Sequence, residues 1–325
     1  MRALRVHSYE PGSAPQLDHL PLPSCGEGQV RIRIQACAIS FVDLLLASGG
    51  YQVRPPTPFI PGSEFSGVVD ALGPGDVSGL RVGDHVCGAR QGAWAEFICM
   101  RADLVYRVAD DHPVAETAGL VAPYATALYA LRERAQLQSG ETLLVLGATG
   151  SVGHAAVQLG KVLGARVLAV ASSPAKRTAA REAGADEVLS ATGSWKDDVK
   201  VLTGPRGVDV VLDTIGGDAT DAAFRTLGWG GRHLMVGFAG GKIGALKSNL
   251  AIVKGASLIG VDFRQAVERD PDTASNIKHQ VMRLYEEGLI RPRVHAIVDW
   301  SRFADAAAMV HDRTTLGRVV LSLNG

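Results

Sequence analysis

The chain has 325 residues, and its 33 basic side chains are balanced by 33 acidic ones, so its net charge at neutral pH is zero. This balance, with no basic block, disfavours nucleic acid and anionic membranes as partners. Because no apolar stretch has the length of a signal peptide or of a bilayer-spanning helix, we expect a cytoplasmic, soluble protein of about two domains.

The first third of the chain is predicted to be rich in β-structure. Residues 30–35 (VRIRIQ) alternate strictly between apolar and polar side chains, which is typical of a half-buried strand. Residues 40–48 (SFVDLLLAS) indicate a short helix with Ser40 as its N-cap, and a proline-rich loop follows at residues 55–62. Further short strands, which together suggest a small irregular barrel, are predicted at residues 66–72, 84–89, 93–99 and 104–108. Helical spacing from Val114 to Leu131 then predicts one helix that leads into a second part.

The second part is organised around residues 141–173, which predict a strand, a glycine turn, a helix and a second strand. The runs Leu143–Leu146 and Val167–Ala171 are apolar throughout, which is typical of strands buried on both faces of a parallel sheet. Glycines in the turn would let the backbone approach a pyrophosphate at the helix N-terminus. Ala148 replaces the first glycine of the usual fingerprint, so a glycine-rich turn of some other doubly wound domain is the alternative interpretation.

Helices and strands continue to alternate, which predicts a doubly wound parallel sheet with right-handed crossovers. The predicted helices are residues 176–183, 195–202, 219–227 and 270–287, and the predicted strands are residues 187–189, 208–212, 233–236 and 257–261. The tail is predicted to form a strand, a helix and a strand over residues 293–323 and to rejoin the first domain.

The loop after the second strand of this unit indicates which cofactor is bound. An NAD site usually has an acid there for the ribose 2′-hydroxyl, whereas this chain continues with Ser172, Ser173, Pro174, Ala175, Lys176 and Arg177. Hydroxyls and cations suit a 2′-phosphate, so we predict NADPH. Ser172 or Ser173 could equally be the N-cap of a solvated helix before Pro174, and both interpretations can hold together.

The cysteines show no paired spacing, so that neither a zinc ribbon nor a disulfide framework is indicated. We expect buried or idle thiols at all four positions, which are Cys25, Cys37, Cys87 and Cys99.

Four ordered motifs carry a family resemblance: residues 59–69 (FIPGSEFSGVV), 82–86 (VGDHV), 92–97 (GAWAEF) and 317–321 (GRVVL). Together with the glycine turn, they make the chain similar, over essentially its whole length, to the medium-chain dehydrogenase/reductases of the quinone oxidoreductase (zeta-crystallin-like) branch. The resemblance implies an α/β fold with a doubly wound parallel Rossmann sheet plus a GroES-like irregular β-barrel domain. We accordingly assign residues 1–120 and 267–325 to the GroES-like substrate domain and residues 121–266 to the Rossmann domain.

The same resemblance implies that zinc is absent. Zinc-dependent members have a histidine and a cysteine where this chain has Ser63 and Ser40, and serine is not a normal zinc ligand. Two further departures affect the substrate cleft, because Ser40 stands where the branch usually has asparagine and Ala47 where it has arginine.

The resemblance also implies site residues. Ser40 and Tyr51 would lie beside the substrate as catalytic residues. The implied cofactor-binding residues are Ser40, Thr126, Ala148, Thr149, Gly150, Ser151, Val152, Ser172, Ser173, Lys176, Phe238, Phe263 and Arg318. Alternatively, Tyr51 packs on the turn at residues 55–58, Asp43 pairs with a neighbour on its helix face, and Glu64 is a structural hydrogen-bond acceptor.

The leading functional hypothesis is an NADPH-dependent reductase of quinones or α,β-unsaturated carbonyls. The alternatives are an enoyl-thioester reductase and an NADPH-binding structural or regulatory protein without catalytic activity. We also predict a homodimer joined through Ser257–Val261, an apolar strand expected at the sheet edge, with a monomer as the alternative if residues 266–287 cover that edge.

Overall fold

The computed structural model describes residues 1–323, which divide into two compact units. Unit 1 consists of Met1–Ala122 and the C-terminal segment from Pro292, and unit 2 consists of Pro123–Arg291. The first boundary lies close to the predicted residue 120, and the tail rejoins the first unit as predicted. Residues 267–291, however, belong to unit 2, against the sequence-based boundary at 267.

The chain forms fifteen strands and eleven α-helices within the described residues. The strands are β1 Arg2–Arg5, β2 Gln16–His19, β3 Gln29–Ile39, β4 Glu64–Leu72, β5 His85–Ala89, β6 Phe97–Arg101, β7 Val105–Arg107, β8 Thr142–Leu146, β9 Arg166–Ala171, β10 Glu187–Ser190, β11 Val208–Asp213, β12 Leu227–Met235, β13 Ser257–Gly260, β14 Val294–Asp299 and β15 Arg318–Ser322. The helices are α1 Phe41–Ala47, α2 Val114–Thr117, α3 Val121–Leu128, α4 Ser151–Val162, α5 Pro174–Glu182, α6 Trp195–Thr203, α7 Asp218–Phe224, α8 Asn249–Lys254, α9 Phe263–Arg269, α10 Pro271–Glu286 and α11 Phe303–His311.

Unit 1 is built on a seven-stranded sheet in the order β14-β15-β3-β4-β5-β7, with β6 also paired to β3. Strand β3 is the centre of this sheet, because it pairs antiparallel with β4, β6 and β15. Its apolar side chains Val30, Ile32 and Ile34 are buried in the main core, as their alternation with polar residues predicts. The pairing of β15 with β3 brings the C-terminal segment back to this unit.

Unit 2 is a six-stranded sheet in the order β10-β9-β8-β11-β12-β13, and all five pairings are parallel. This is the 3-2-1-4-5-6 order of the dinucleotide-binding fold, in which the strand order reverses between β8 and β11. All five residues of β8 are buried, as its continuous apolar run predicts. Strand β13 lies at the sheet edge, as predicted.

The extra residues of unit 2 belong to α10, whose apolar face explains why the predicted boundary was wrong. Ile277, Val281 and Met282 on this helix are buried, and the Lys278 ammonium lies 5.9 Å from the ring centroid of Phe263 in the same unit. The sequence-based boundary at 267 assigned this helix to the GroES-like domain, but its buried stripe belongs to unit 2.

The single helix predicted from Val114 to Leu131 is also corrected, because the structure divides it into α2 and α3. The break includes Gly119, where an added Cβ would come within 3.0 Å of the Arg318 side chain. The helix is therefore interrupted at the point where the Arg318 side chain lies against Gly119. None of the helices in residues 1–323 combines the length and hydropathy that crossing a membrane requires.

Candidate active site

The glycine turn after β8 is shaped by a close backbone approach. A Cβ on Gly153 would lie 2.1 Å from the carbonyl oxygen of Gly147, so only glycine fits there. Gly147 itself has φ +72°, and the Thr214 hydroxyl braces the turn by donating to the carbonyl oxygen of Leu146 at 3.0 Å. Helix α4 then begins at Ser151 with Gly150 as an exposed N-cap that brings no capping side chain. This arrangement fits a bound pyrophosphate.

Parallel pairing places most of the predicted cofactor residues at one edge of the unit 2 sheet. Because all six strands run in the same direction, the loops that follow them leave from the same carboxyl edge. The loops and helix starts at this edge carry Ala148–Val152 after β8, Ser172–Lys176 after β9, Phe238 after β12 and Phe263 after β13. Thr126 lies half-buried on α3 of the same unit.

For the loop after β9, the sequence left two interpretations open, which were a site for the 2′-phosphate and the N-cap of a helix. The Ser173 hydroxyl accepts a hydrogen bond from the Lys176 backbone at 3.3 Å and caps α5, so the N-cap alternative is confirmed for this residue. Ser172 is exposed. Burial lowers the pKa of Lys176, which shows that its ammonium group is partly desolvated. A phosphate beside it would compensate for that lost hydration.

The two predicted nicotinamide-flanking phenylalanines have different surroundings. Phe238 is 40% exposed in the loop after β12, and its ring lies so close to Gly216 that a Cβ there would be 2.7 Å from it. Phe263 is not in a loop, because it is the first residue of α9, and it is only 9% exposed. Its ring packs against Tyr129 with centroids 5.5 Å apart. Within this unit, Phe238 therefore presents the more accessible ring.

In unit 1, Ser40 and Asp43 form a reciprocal capping box at the start of α1. The Ser40 hydroxyl donates to the Asp43 carboxylate at 2.6 Å, and the Ser40 backbone N–H donates to the same oxygen at 2.8 Å. In return, the Asp43 backbone N–H donates to the Ser40 hydroxyl at 3.0 Å. Ser40 is thus the predicted N-cap, and its hydroxyl already has a structural role.

The Asp43 carboxylate also belongs to a larger buried network. Its side chain is 2% exposed, and burial raises its pKa, whereas hydrogen bonds from Ser40 and Ser63 and the charge of Arg318 act in the opposite direction. Asp43 therefore pairs with neighbouring groups, but these come from three separate segments and not from its own helix face alone.

Arg318 and Glu64 form a buried ion pair beside Asp43. Glu64 is 1% and Arg318 5% exposed, and the guanidinium contacts one carboxylate oxygen of Glu64. The other oxygen accepts from the Ala122 backbone at 2.7 Å, so Glu64 is the structural acceptor that the sequence suggested. Burial lowers the pKa of Arg318 to about 10, while the Asp43 charge opposes this change, and the guanidinium is charged at neutral pH.

Tyr51 keeps both of its interpretations. Tyr9 contacts the proline-rich loop, since its hydroxyl donates to the Pro55 carbonyl oxygen at 2.6 Å and its ring lies 6.1 Å from that of Phe59. Tyr51 is half-buried, and within residues 1–323 its hydroxyl makes no hydrogen bond. Its catalytic role stays a prediction.

Comparison with known proteins identifies the family and the fold. Residues 26–110 match the family model for an alcohol dehydrogenase GroES-like domain, and residues 151–278 match the model for a zinc-binding dehydrogenase. Quinone oxidoreductase-like protein 2 from Rattus norvegicus is 36% identical over 92% of this chain and 86% of its own length. The chain belongs to the medium-chain dehydrogenase/reductases, in the quinone oxidoreductase-like branch.

Solved structures agree with this membership. A probable oxidoreductase from Mycobacterium abscessus superposes with a TM-score of 0.88 and 32% identity, over 99% of this chain and 98% of that one. Mycobacterial Rv1454c, solved in complex with NADPH, has a TM-score of 0.89 and 29% identity, over 99% of both chains. The chain is therefore an oxidoreductase, and a nicotinamide cofactor follows from its family.

Ser40 and Ser63 stand at the two positions where zinc-dependent members of the family have metal ligands, so both positions hold hydroxyl groups. Ser40 and Ser63 both donate hydrogen bonds to Asp43, so the donor set at this place is two hydroxyls and a carboxylate that already accepts from them. Within residues 1–323, no group of three or more His, Cys, Asp and Glu side chains is arranged to hold a metal ion. These hydroxyl and carboxylate groups do not fit a zinc centre.

Sequence reasoning missed Asp213, a fully buried residue of this medium-chain reductase at the end of β11. Its carboxylate accepts from the backbones of Ile215 at 2.8 Å and Gly216 at 2.9 Å and from the Thr220 hydroxyl at 2.8 Å, and His233 Nε2 lies 3.2 Å away. Asp213 thereby fixes the loop at the edge where the cofactor residues gather. A carboxylate directly after the apolar run Val210–Leu212 was the signal that could have revealed it.

Proposed function

We propose that this protein reduces quinones or α,β-unsaturated carbonyls with NADPH, without zinc. The observation that carries the proposal is the hydrogen-bonded set of Ser40, Ser63 and Asp43 at the positions where zinc-dependent relatives place ligands. Without a Lewis acid, an alcohol is hard to oxidise, whereas an acceptor that is already activated needs only a hydride and a proton. The function of the related quinone oxidoreductase-like proteins, as their name gives it, supports this choice.

NADPH is the proposed cofactor, and it supplies the hydride when bound. The support is the loop after β9, which has an exposed Ser172, no carboxylate, and the partly desolvated ammonium of Lys176. Charge-assisted hydrogen bonds from such groups suit a 2′-phosphate. The NADPH complex of the structural neighbour Rv1454c supports the same choice.

Two residues of unit 1 are assigned to the substrate in this proposal. The Tyr51 hydroxyl supplies the proton, and its freedom from internal hydrogen bonds supports that role. Ser40, whose hydroxyl is fixed by Asp43, shapes the cleft wall beside the acceptor. Hydride transfer depends more on proximity than on acid–base groups, so a site with few such groups is sufficient.

The test is a panel of quinones, enones and enoyl thioesters, with the loss of NADPH absorbance as the readout. We expect turnover of quinones or simple enones that persists in the presence of a chelator. Tyr51→Phe should slow enones that need a proton while leaving NADPH binding unchanged. Turnover restricted to enoyl thioesters, NADPH binding without any turnover, or activity that is lost on chelation and restored by zinc would each contradict the proposal.

We also propose that the protein is a homodimer joined through β13. The support is the exposure of apolar side chains around this strand, because Leu258 on β13 is 50% exposed, and Trp229 and Ile252 in the same unit are 83% and 81% exposed. An exposed apolar edge next to such side chains favours pairing with a two-fold copy.

Leu258→Lys should convert the dimer into monomers, because the ammonium group of a lysine at the dimer interface would have to be desolvated. Light scattering at micromolar concentration measures the mass. Ile297→Lys is the matched control and should leave the dimer intact. Ile297 is a 62% exposed aliphatic side chain on β14, which is an edge strand of the unit 1 sheet. A parent protein of one chain mass would refute the dimer.

A further inference from the structure

The fold of unit 1 brings two cysteines together that are 74 residues apart in the sequence. The sulfur atoms of Cys25 and Cys99 lie 3.6 Å from one another, and both residues are half-buried. Their spacing in the sequence follows no redox or metal-binding motif, and the sequence suggested only idle thiols. The structure instead shows a pair of neighbouring thiols that the proposed reductase chemistry does not use.

Backbone contacts hold this thiol pair in place. Cys99 lies on β6 opposite Arg31 of β3, and Cys25 lies in the loop that leads into β3. The Arg31 guanidinium donates to the Pro23 carbonyl oxygen at 2.9 Å, which fixes that loop over the sheet. The Cys99 thiol donates to the same carbonyl at 3.7 Å, and the Cys25 thiol donates to the Ala71 carbonyl oxygen at 3.8 Å.

The other two cysteines are not candidates for the same chemistry. Cys37 and Cys87 are both 0% exposed, so a dissolved oxidant does not reach their sulfur atoms. Thiol chemistry with a dissolved oxidant is therefore directed to Cys25 and Cys99.

We propose that Cys25 and Cys99 are a redox modification site at which hydroperoxides form an intramolecular disulfide. Cys25 sulfur attacks a peroxide oxygen of hydrogen peroxide, which gives a sulfenic acid and one water molecule. Cys99 sulfur then attacks the sulfenic sulfur and forms the S–S bond, while the hydroxyl group and the thiol proton leave as a second water molecule. Two thiols are oxidised by two electrons in total, and one peroxide is reduced to two waters.

The order of attack follows from the surroundings of Cys99. Burial, together with the Cys25 thiol beside it, raises the pKa of Cys99 and disfavours its thiolate. We accordingly assign the first attack to Cys25, in the loop before β3, and the resolving attack to Cys99 on β6. The sulfurs must approach from 3.6 Å to about 2.05 Å when the bond forms. The bond would enclose the segment that carries Ser40, Tyr51 and Glu64.

Peptide mapping after treatment of the whole protein with a slight excess of hydrogen peroxide tests this proposal. Trypsin places the four cysteines in separate peptides, with Cys25 in residues 6–31, Cys37 in residues 34–81, Cys87 in residues 82–90 and Cys99 in residues 91–101. We expect the intact mass to fall by two hydrogens, and peptides 6–31 and 91–101 to be recovered as one species that reduction separates. Denatured oxidised protein should titrate two thiols fewer than the reduced protein.

Cys25→Ser and Cys99→Ser are the controls, and each should abolish the cross-linked peptide. In Cys99→Ser, the sulfenic acid on Cys25 should persist and be trapped by dimedone, whereas Cys25→Ser should give at least tenfold less adduct. Recovery of peptides 6–31 and 91–101 only as separate species, conversion of the cysteines to sulfinic or sulfonic acids, or disulfides only between chains would overturn the proposal. So would a disulfide that includes Cys37 or Cys87.

Discussion

Arg318→Met should lower the free energy of unfolding by about 3–5 kcal/mol, the usual cost of removing one partner from a buried ion pair. The Arg318 side chain is enclosed with Glu64 and Asp43, which are 1% and 2% exposed. Without the guanidinium, Glu64 is left as a buried charge that keeps its hydrogen bond from the Ala122 backbone but has lost its cationic partner, and Asp43 loses the charge that opposes its burial. Denaturant unfolding followed by fluorescence measures the change.

The matched control for this variant is Arg302→Met. Arg302 also pairs with a carboxylate in unit 1, that of Asp305, but the two side chains are 67% and 52% exposed. Exposed pairs contribute little, so this variant should unfold almost like the parent protein. Adding Glu64→Gln to Arg318→Met should recover part of the loss, because it removes the unpaired charge. Equal stabilities for Arg318→Met and Arg302→Met would show that the buried network does not stabilise the fold.

Lys176→Ala should weaken NADPH binding tenfold or more and leave NADH binding nearly unchanged. Losing one charge-assisted hydrogen bond to a phosphate costs on the order of 1.5–3 kcal/mol. Because NADH lacks the 2′-phosphate, the difference between the two cofactors isolates this contact from any general damage to the site. Titration of both cofactors against protein fluorescence gives the four dissociation constants.

Lys200→Ala serves as the control for cofactor binding. Lys200 is an exposed lysine of unit 2 that pairs with Asp197 on α6, away from the loop after β9, and its loss should alter neither dissociation constant. Ser173→Ala is informative in another way, since it removes the N-cap of α5 and should lower stability more than cofactor preference. A parent protein that binds NADH as tightly as NADPH would contradict the NADPH proposal.

The sequence by itself determined the local elements and the class of fold. The apolar runs of β8 and β9 and the alternation in β3 report directly which faces are buried, and a glycine turn followed by a helical pattern fits one type of unit. Ser40 was recognised as an N-cap because capping depends on residues within one helical turn. The motifs identified the family, because four of them and the glycine turn occur in the family's order along the chain.

Only the tertiary structure decided which distant residues share one environment. Arg318 meets Glu64 and Asp43 because the pairing of β15 with β3 sets a register that no local pattern encodes. The thiols of Cys25 and Cys99 meet through the pairing of β6 with β3. The assignment of α10 to unit 2 likewise depended on its packing within that unit, where Lys278 lies over the ring of Phe263. Periodicity reveals that a side chain is buried, whereas its partners are fixed by strand register and by packing between segments.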